Sequence, residues 1–175
     1  MRRLAPLLLA ALLAAGAARA DDLAEARKLL AAGEREAAMK RVDQALAKKP
    51  ADQDARFLKG VILAEDGRIP EAMEVYQRLA QDYPELSEAH NNLAVLYAAR
   101  GDLERARQSL ELAIRTNPEY ATAQENLGDV YVQLAARAYE RAGKLDPSNR
   151  SATRKLGMAR EVVQRPKPRA PAANP

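Results

Sequence analysis

SEAHNNLAVLYAARGDLERARQSLELAIRTNP, residues 87–118, decides the fold. Leu93, Ala94 and Tyr97 recur at helical spacing and mark the inner face of one helix. Gly101 stops that helix, because a residue just past a helix end often needs positive φ, which Gly adopts without penalty. Asp102 is placed to cap a second helix, whose inner face is Ala106, Leu110, Ala113 and Ile114. Pro118 ends the unit, since Pro cannot continue a helix. The stretch therefore predicts two helices joined by a tight turn.

The same punctuation returns at a 34-residue step in both directions from this unit. Gly33, Gly67 and Gly101 form one column, Ala38, Ala72 and Ala106 a second, and Pro50, Pro84 and Pro118 a third. Ala26, Gly60, Ala94 and Gly128 form a small-residue column that lets two helix backbones approach closely. Leu29, Leu63, Tyr97 and Tyr131 fill the next layer, and Val42, Tyr76, Leu110 and Tyr139 pack the second helices. Pro70 sits in a first helical turn, where its missing N–H costs nothing. A fixed period of this length predicts stacked hairpins, each touching mainly its neighbours. With one Phe and no Trp, the core must come from Leu, Ala, Val and Tyr.

The fourth unit breaks the pattern. Counting back from Pro147, Tyr139 and Ala142 match the second-helix columns only if five residues are missing, and those five are the turn. Leu127, Val130, Tyr131, Leu134, Ala135, Ala138, Tyr139 and Ala142 run as one i, i+3, i+4 stripe. This predicts one continuous helix over 123–145, about 35 Å long at ~1.5 Å per residue. The second half of its stripe needs a partner. One reading is a capping helix over 151–164, offering Ala152, Leu156, Met158, Ala159 and Val163. The other is a homodimer through the fused helix, because Tyr131, Ala135, Ala138, Ala142 and Leu145 follow a 4-3-4-3 spacing that suits close helix pairing.

The ends carry different signals. Arg2 and Arg3, the apolar run from Leu4 to Ala15, and Ala18-Arg19-Ala20 read as a secretory signal peptide cleaved after Ala20. The apolar run is short for a membrane span, so no stable membrane insertion is expected after cleavage. The expected location is the periplasm of a bacterium. Residues 165–175 hold four prolines and three cations and read as an extended, unpacked, basic tail. Domain limits follow: signal peptide 1–20, repeats at about 21–52, 53–86, 87–120 and a shortened 121–147, a cap over 148–164, then the tail.

Composition narrows the function. The chain has no Cys, which excludes disulfides, thiolate metal sites and a lipid-bearing Cys. Its formal net charge is +4, yet without the three leader arginines and the three tail cations residues 21–164 sum to −2. That body offers no broad positive field for nucleic acid. His90 is the only His, and neither a phosphate loop nor a Ser-centred elbow occurs. No catalytic residue, metal or cofactor is expected, and the chain is read as non-enzymatic.

The Gly, Ala and Pro columns at this period resemble the tetratricopeptide repeat (TPR) over roughly residues 21–147. The resemblance implies an all-α, right-handed superhelical solenoid of about three and a half TPR hairpins, the last with its two helices fused, plus a C-terminal capping helix. It departs where an aromatic is common early in the first helix, here Asp22, Arg56, His90 and Gln124. In this family the first helices line a concave groove that holds peptides. Carried to matching positions, the groove would be Leu23, Arg27, Phe57, Leu58, Val61, Asn91, Asn92, Val95, Glu125, Asn126 and Asp129. Asn92 and Asn126 resemble part of a carboxylate clamp, but Leu23, Phe57 and Glu125 stand where its lysines would be. Phe57 and Leu58 either anchor a ligand's apolar side chains or pack on the first repeat. The asparagines either bond a peptide or tie neighbouring repeats together. The implied role is a protein–protein adaptor or scaffold in the bacterial envelope. The alternatives are a holdase for exposed apolar segments and an accessory subunit of an envelope enzyme.

Overall fold

The computed structural model describes residues 22–164, so the segments read as a signal peptide and a basic tail lie outside the described residues. Within them the chain is all-helical. Helix α1 covers residues 22–31, followed by α2 (Arg35–Lys48), α3 (Gln53–Glu65), α4 (Ile69–Asp82), α5 (Ser87–Ala99), α6 (Leu103–Thr116), α7 (Ala121–Leu145) and α8 (Arg150–Gln164). Helices α1–α2, α3–α4 and α5–α6 are the three hairpins that the columns predict. None of the described helices is long and apolar enough to cross a membrane.

The glycine column makes the turns. Gly33, Gly67 and Gly101 hold φ of 82°, 76° and 76°, and among the described residues no non-Gly residue has positive φ. Each turn closes alike: the N–H groups of Glu34, Arg68 and Asp102 donate to the carbonyls of Leu29, Leu63 and Tyr97, each at 2.9 Å. This six-to-one bond satisfies a carbonyl that the helix end leaves over. Asp52 and Asp102 then cap α3 and α6, accepting from the N–H of Ala55 at 3.0 Å and of Arg105 at 3.2 Å. Helices α2, α4, α6 and α7 each stop two residues before Pro50, Pro84, Pro118 and Pro147. Pro disfavours the α conformation of the residue before it, so the stop is steric.

Two compact units divide between Ala89 and His90. In the first, Leu23, Ala26, Ala38, Val42, Ala45, Ala55, Leu58 and Ile62 form one buried cluster. The close approach expected of the small column occurs between α3 and α4, where Gly60 faces the ring of Tyr76. The missing aromatic early in the first helices has a replacement. Asp22 pairs with Lys48 and Arg56 with Asp82, both at 2.5 Å and both 26 residues apart, with the charges exchanged. These pairs pin the open end of each hairpin where a ring would otherwise pack.

In the second unit, α7 runs through its 25 residues without a turn. Gly128 and Gly143 lie inside it with helical φ, so neither reverses the chain. The deleted turn removed the one Gly that could have done so. Helix α8 packs on α7 as a cap, burying Ala152 and Ala159. It does not bury Met158, expected on the packed face, which is 67% exposed. Met158 lies two residues past Leu156, about 200° further round the helix. Val163, expected there too, is also exposed.

Candidate interaction surfaces

In the first unit two of the expected groove residues are core. Leu23 and Leu58 belong to the buried cluster, so neither is available to a ligand. Phe57 is half-buried and packs edge-on against Tyr76, with ring centroids 5.6 Å apart and planes at 65°. It is held within its own hairpin. Arg27 is exposed, and Val61 is half-buried against the cluster. The opposite side of α3 borders a cleft of about 590 Å³ lined by Arg56, Lys59, Glu71, Glu74, Arg78 and Asp82. Its charges are met: Lys59 bonds Asp43 at 2.8 Å, Arg68 bonds Glu71 at 2.6 Å and Arg78 bonds Glu74 at 2.6 Å. The Arg68 guanidinium, through its hydrogen bond, holds the Glu71 carboxyl below the usual carboxylate range. Neutralised this way, the cleft has little field left for an ion.

In the second unit the asparagines tie helices together. Asn126 of α7 donates its amide to Oδ1 of Asn91 on α5 at 2.8 Å, and Asn91 donates to Oδ1 of Asn92 at 3.3 Å. Asn91 is buried, so this amide chain satisfies polar atoms that would otherwise be stranded. The inter-repeat reading of these residues is the one the geometry carries. Asn126 also reaches the surface between α5 and α7, where Val95, Ala98, Asn126, Asp129, Val130 and Gln133 line a cleft of about 190 Å³. Val95 is 46% exposed there. An apolar wall with a carboxylate and an amide opposite can seat an apolar side chain and accept a donor. Ala98 and Gln133 were missed in the sequence, although each lies on the surface column one turn beyond Val95 or Asp129.

The self-association residues sit on one helix but in unequal surroundings. Tyr131, Ala138 and Leu145 are exposed, while Ala135 and Ala142 are half-buried. Lys155 of α8 lies 5.6 Å over the ring of Tyr139. On another side of α7, Arg137 donates to the carbonyl of Gly101 at 2.9 Å, which ties the α5–α6 turn to the fused helix. No local pattern announces that bond. His90 is buried, and among the described residues no group of three His, Asp or Glu side chains could hold a metal ion.

Comparison with known proteins agrees with this geometry. Tetratricopeptide-repeat family models match residues 23–87 and 63–127, together more than half of the chain. The chain is 28% identical over 135 residues to the chloroplastic tetratricopeptide repeat domain-containing protein PYG7 of Arabidopsis thaliana, covering 72% of the chain and 45% of that protein. It is 30% identical over 93 residues to the photosystem I assembly protein Ycf3 of Prochlorococcus marinus strain NATL1A, covering 51% of the chain and 53% of that protein. It thus spans about half the length of these curated relatives. Among solved structures, the TPR protein TTC0263 of Thermus thermophilus superposes with a TM-score of 0.64 at 23% identity, covering 84% of both chains. The first TPR of Spaghetti (RPAP3), bound to the HSP90 peptide SRMEEVD, superposes at 0.62 with 14% identity, covering 67% of this chain and 93% of that one. Hairpins closed by a glycine at a 34-residue step, and two family models across them, make the chain a member of the tetratricopeptide-repeat family.

Proposed function

We propose that the chain is an adaptor or scaffold that holds another protein in the cleft between α5 and α7. The observation that carries this is Val95, nearly half exposed in a cleft whose far wall offers Asp129 and Gln133. A partner segment with one apolar anchor flanked by a donor or cation fits it. Relatives named for complex assembly, and a structural neighbour seated on a peptide, support the class of function. The leader features from Arg2 to Ala20 support an envelope location. The test is capture from envelope extract by the chain beside Val95→Asp and Asp129→Arg variants. Val95 is exposed and Asp129 half-buried at the cleft wall, so circular dichroism is used to confirm that each variant keeps the parent's helicity. Proteins retained by the parent and lost from both variants support the cleft; equal retention by all three refutes it.

A second reading concerns α7 itself. The exposed Tyr131, Ala138 and Leu145, with Ala135 and Ala142 beside them, support self-association through the fused helix.

A further inference from the structure

In a complete hairpin the second helix covers the first. The fit is tight in the second repeat, where a Cβ on Gly60 would stand 2.7 Å from Cζ of Tyr76. In the second and third repeats the same two columns are sealed: Gly60 and Ala94 are buried, Leu63 is 2% exposed and Tyr97 7%; in the first, Ala26 is buried and Leu29 half-buried. Helix α7 continues these columns as Gly128 and Tyr131, but its second helix runs straight on instead of folding back. A Cβ on Gly128 would meet nothing within 4 Å, Tyr131 is 49% exposed, and Glu125 beside them is exposed. Helix α8 leaves this place open. It turns back along α7 after a short loop, and its cation–ring contact of Lys155 on Tyr139 and its ion pair of Arg160 with Glu140 lie on the second half.

Helix α8 carries the matching surface on its other side. With Ala152 and Ala159 against α7, it turns Arg154, Met158 and Val162 to solvent at one-turn spacing. A single molecule thus shows an open second-helix place and an uncovered apolar helix face with a cation at its edge.

We propose that α8 of a second copy fills the vacated place on α7, and that the exchange is reciprocal about a two-fold axis. This rests on the reading that α7 self-associates, and moves the contact from the Ala135–Ala138–Ala142 stripe to the Glu125–Gly128–Tyr131 face. With the two-fold axis set across the helices, each α8 runs parallel to the other copy's α7. Met158 then lies over Gly128, as Tyr76 lies over Gly60. One turn before, Arg154 meets Glu125; one turn after, Val162 meets Tyr131. Charge and size agree at all three levels. A closed two-fold contact leaves neither place open for further growth.

Sedimentation velocity on the full chain over a wide concentration range tests this. The expected result is a monomer–dimer equilibrium. Gly128→Glu puts a side chain into the empty place without touching the monomer's packing, and should weaken dimerisation on the order of a hundredfold. Helicity by circular dichroism should stay at the parent level. Glu125→Arg and Arg154→Glu should each weaken it about tenfold, and the double exchange should restore it. A parent chain that stays monomeric at millimolar concentration overturns the proposal. So does a dimer that survives Gly128→Glu; if Ala138→Glu abolishes that dimer, α7 self-associates by its other stripe. Capture by the Val95 cleft is unaffected by any of these outcomes.

Discussion

Gly60 and Gly128 occupy the same column, and alanine should have opposite effects at the two. In mid-helix, Gly→Ala gains about 1 kcal/mol from backbone entropy alone. At Gly60 the added carbon would sit 2.7, 2.8 and 3.1 Å from three ring atoms of Tyr76. Unstrained carbon contacts begin near ~3.5 Å, so the ring or the helix must retreat by most of an ångström. The ring has nowhere to go: it is buried, and Phe57 packs on it edge-first. Overpacking of this kind costs roughly 1–3 kcal/mol, and a clash this short lies at the upper end, so it outweighs the entropic gain. We expect Gly60→Ala to destabilise by ~1–2 kcal/mol and Gly128→Ala to stabilise by about 1 kcal/mol. Thermal unfolding followed by circular dichroism, at a concentration where the chain is monomeric, reads both. Their midpoints should differ by about 5 °C or more. Equal stabilisation by the two alanines would refute the close packing of α3 on α4. Equal destabilisation would refute the open face of α7.

Three further outcomes follow from single contacts. Asn126→Ala should destabilise by about 1–3 kcal/mol in urea titration, because it removes the donor to the buried oxygen of Asn91. Exchanging the charges of one hairpin pair, Asp22→Lys with Lys48→Asp, should leave stability within about 1 kcal/mol, while Asp22→Lys alone should lower it, since the neighbouring Arg56–Asp82 pair already runs in that sense. Asp102 has its carboxyl held below the usual range by the N–H of Arg105 and then by its guanidinium. Its contribution is therefore fully present above the unfolded carboxylate value near pH ~4 and is lost as pH falls through the lower folded value. Asp102→Asn keeps an acceptor without a titrating charge, so its melting temperature should fall less than the parent's across that acid range.

The fold was legible because its makers are local. A Gly with positive φ, a capping Asp and a terminating Pro each act within one turn of chain, and their 34-residue recurrence multiplies a weak signal. The fused helix was legible for the same reason, since five absent residues remove all the signals of a turn at once. Surface assignment was less legible. Leu23, Phe57 and Leu58 are apolar whether they line a groove or a core, and only the path of the second helix decides between them. Asn91, Asn92 and Asn126 read as ligand donors or as inter-repeat bonds until the 2.8 Å contact between α7 and α5 is seen. The Arg137 bond to the Gly101 carbonyl joins residues 36 apart and has no sequence signature.

The fourth repeat shows how a solenoid can gain a surface without gaining a residue. In the second and third repeats Leu63 and Tyr97 are core because a hairpin partner covers them, not because of their composition. Deleting the turn keeps the column but removes the cover, so Tyr131 remains as large as Tyr97 and emerges into solvent. An exposed ring beside a bare helical glycine does nothing for an isolated monomer: the glycine weakens the helix by about 1 kcal/mol and the ring keeps apolar area in water. Nothing in the packing of a single molecule requires Gly at 128, since an added Cβ would meet nothing within 4 Å. The chain carries glycine in the column that Tyr76 covers in the second repeat, and turns Arg154, Met158 and Val162 outward on the helix next to it. Both features lose their cost together if they meet each other.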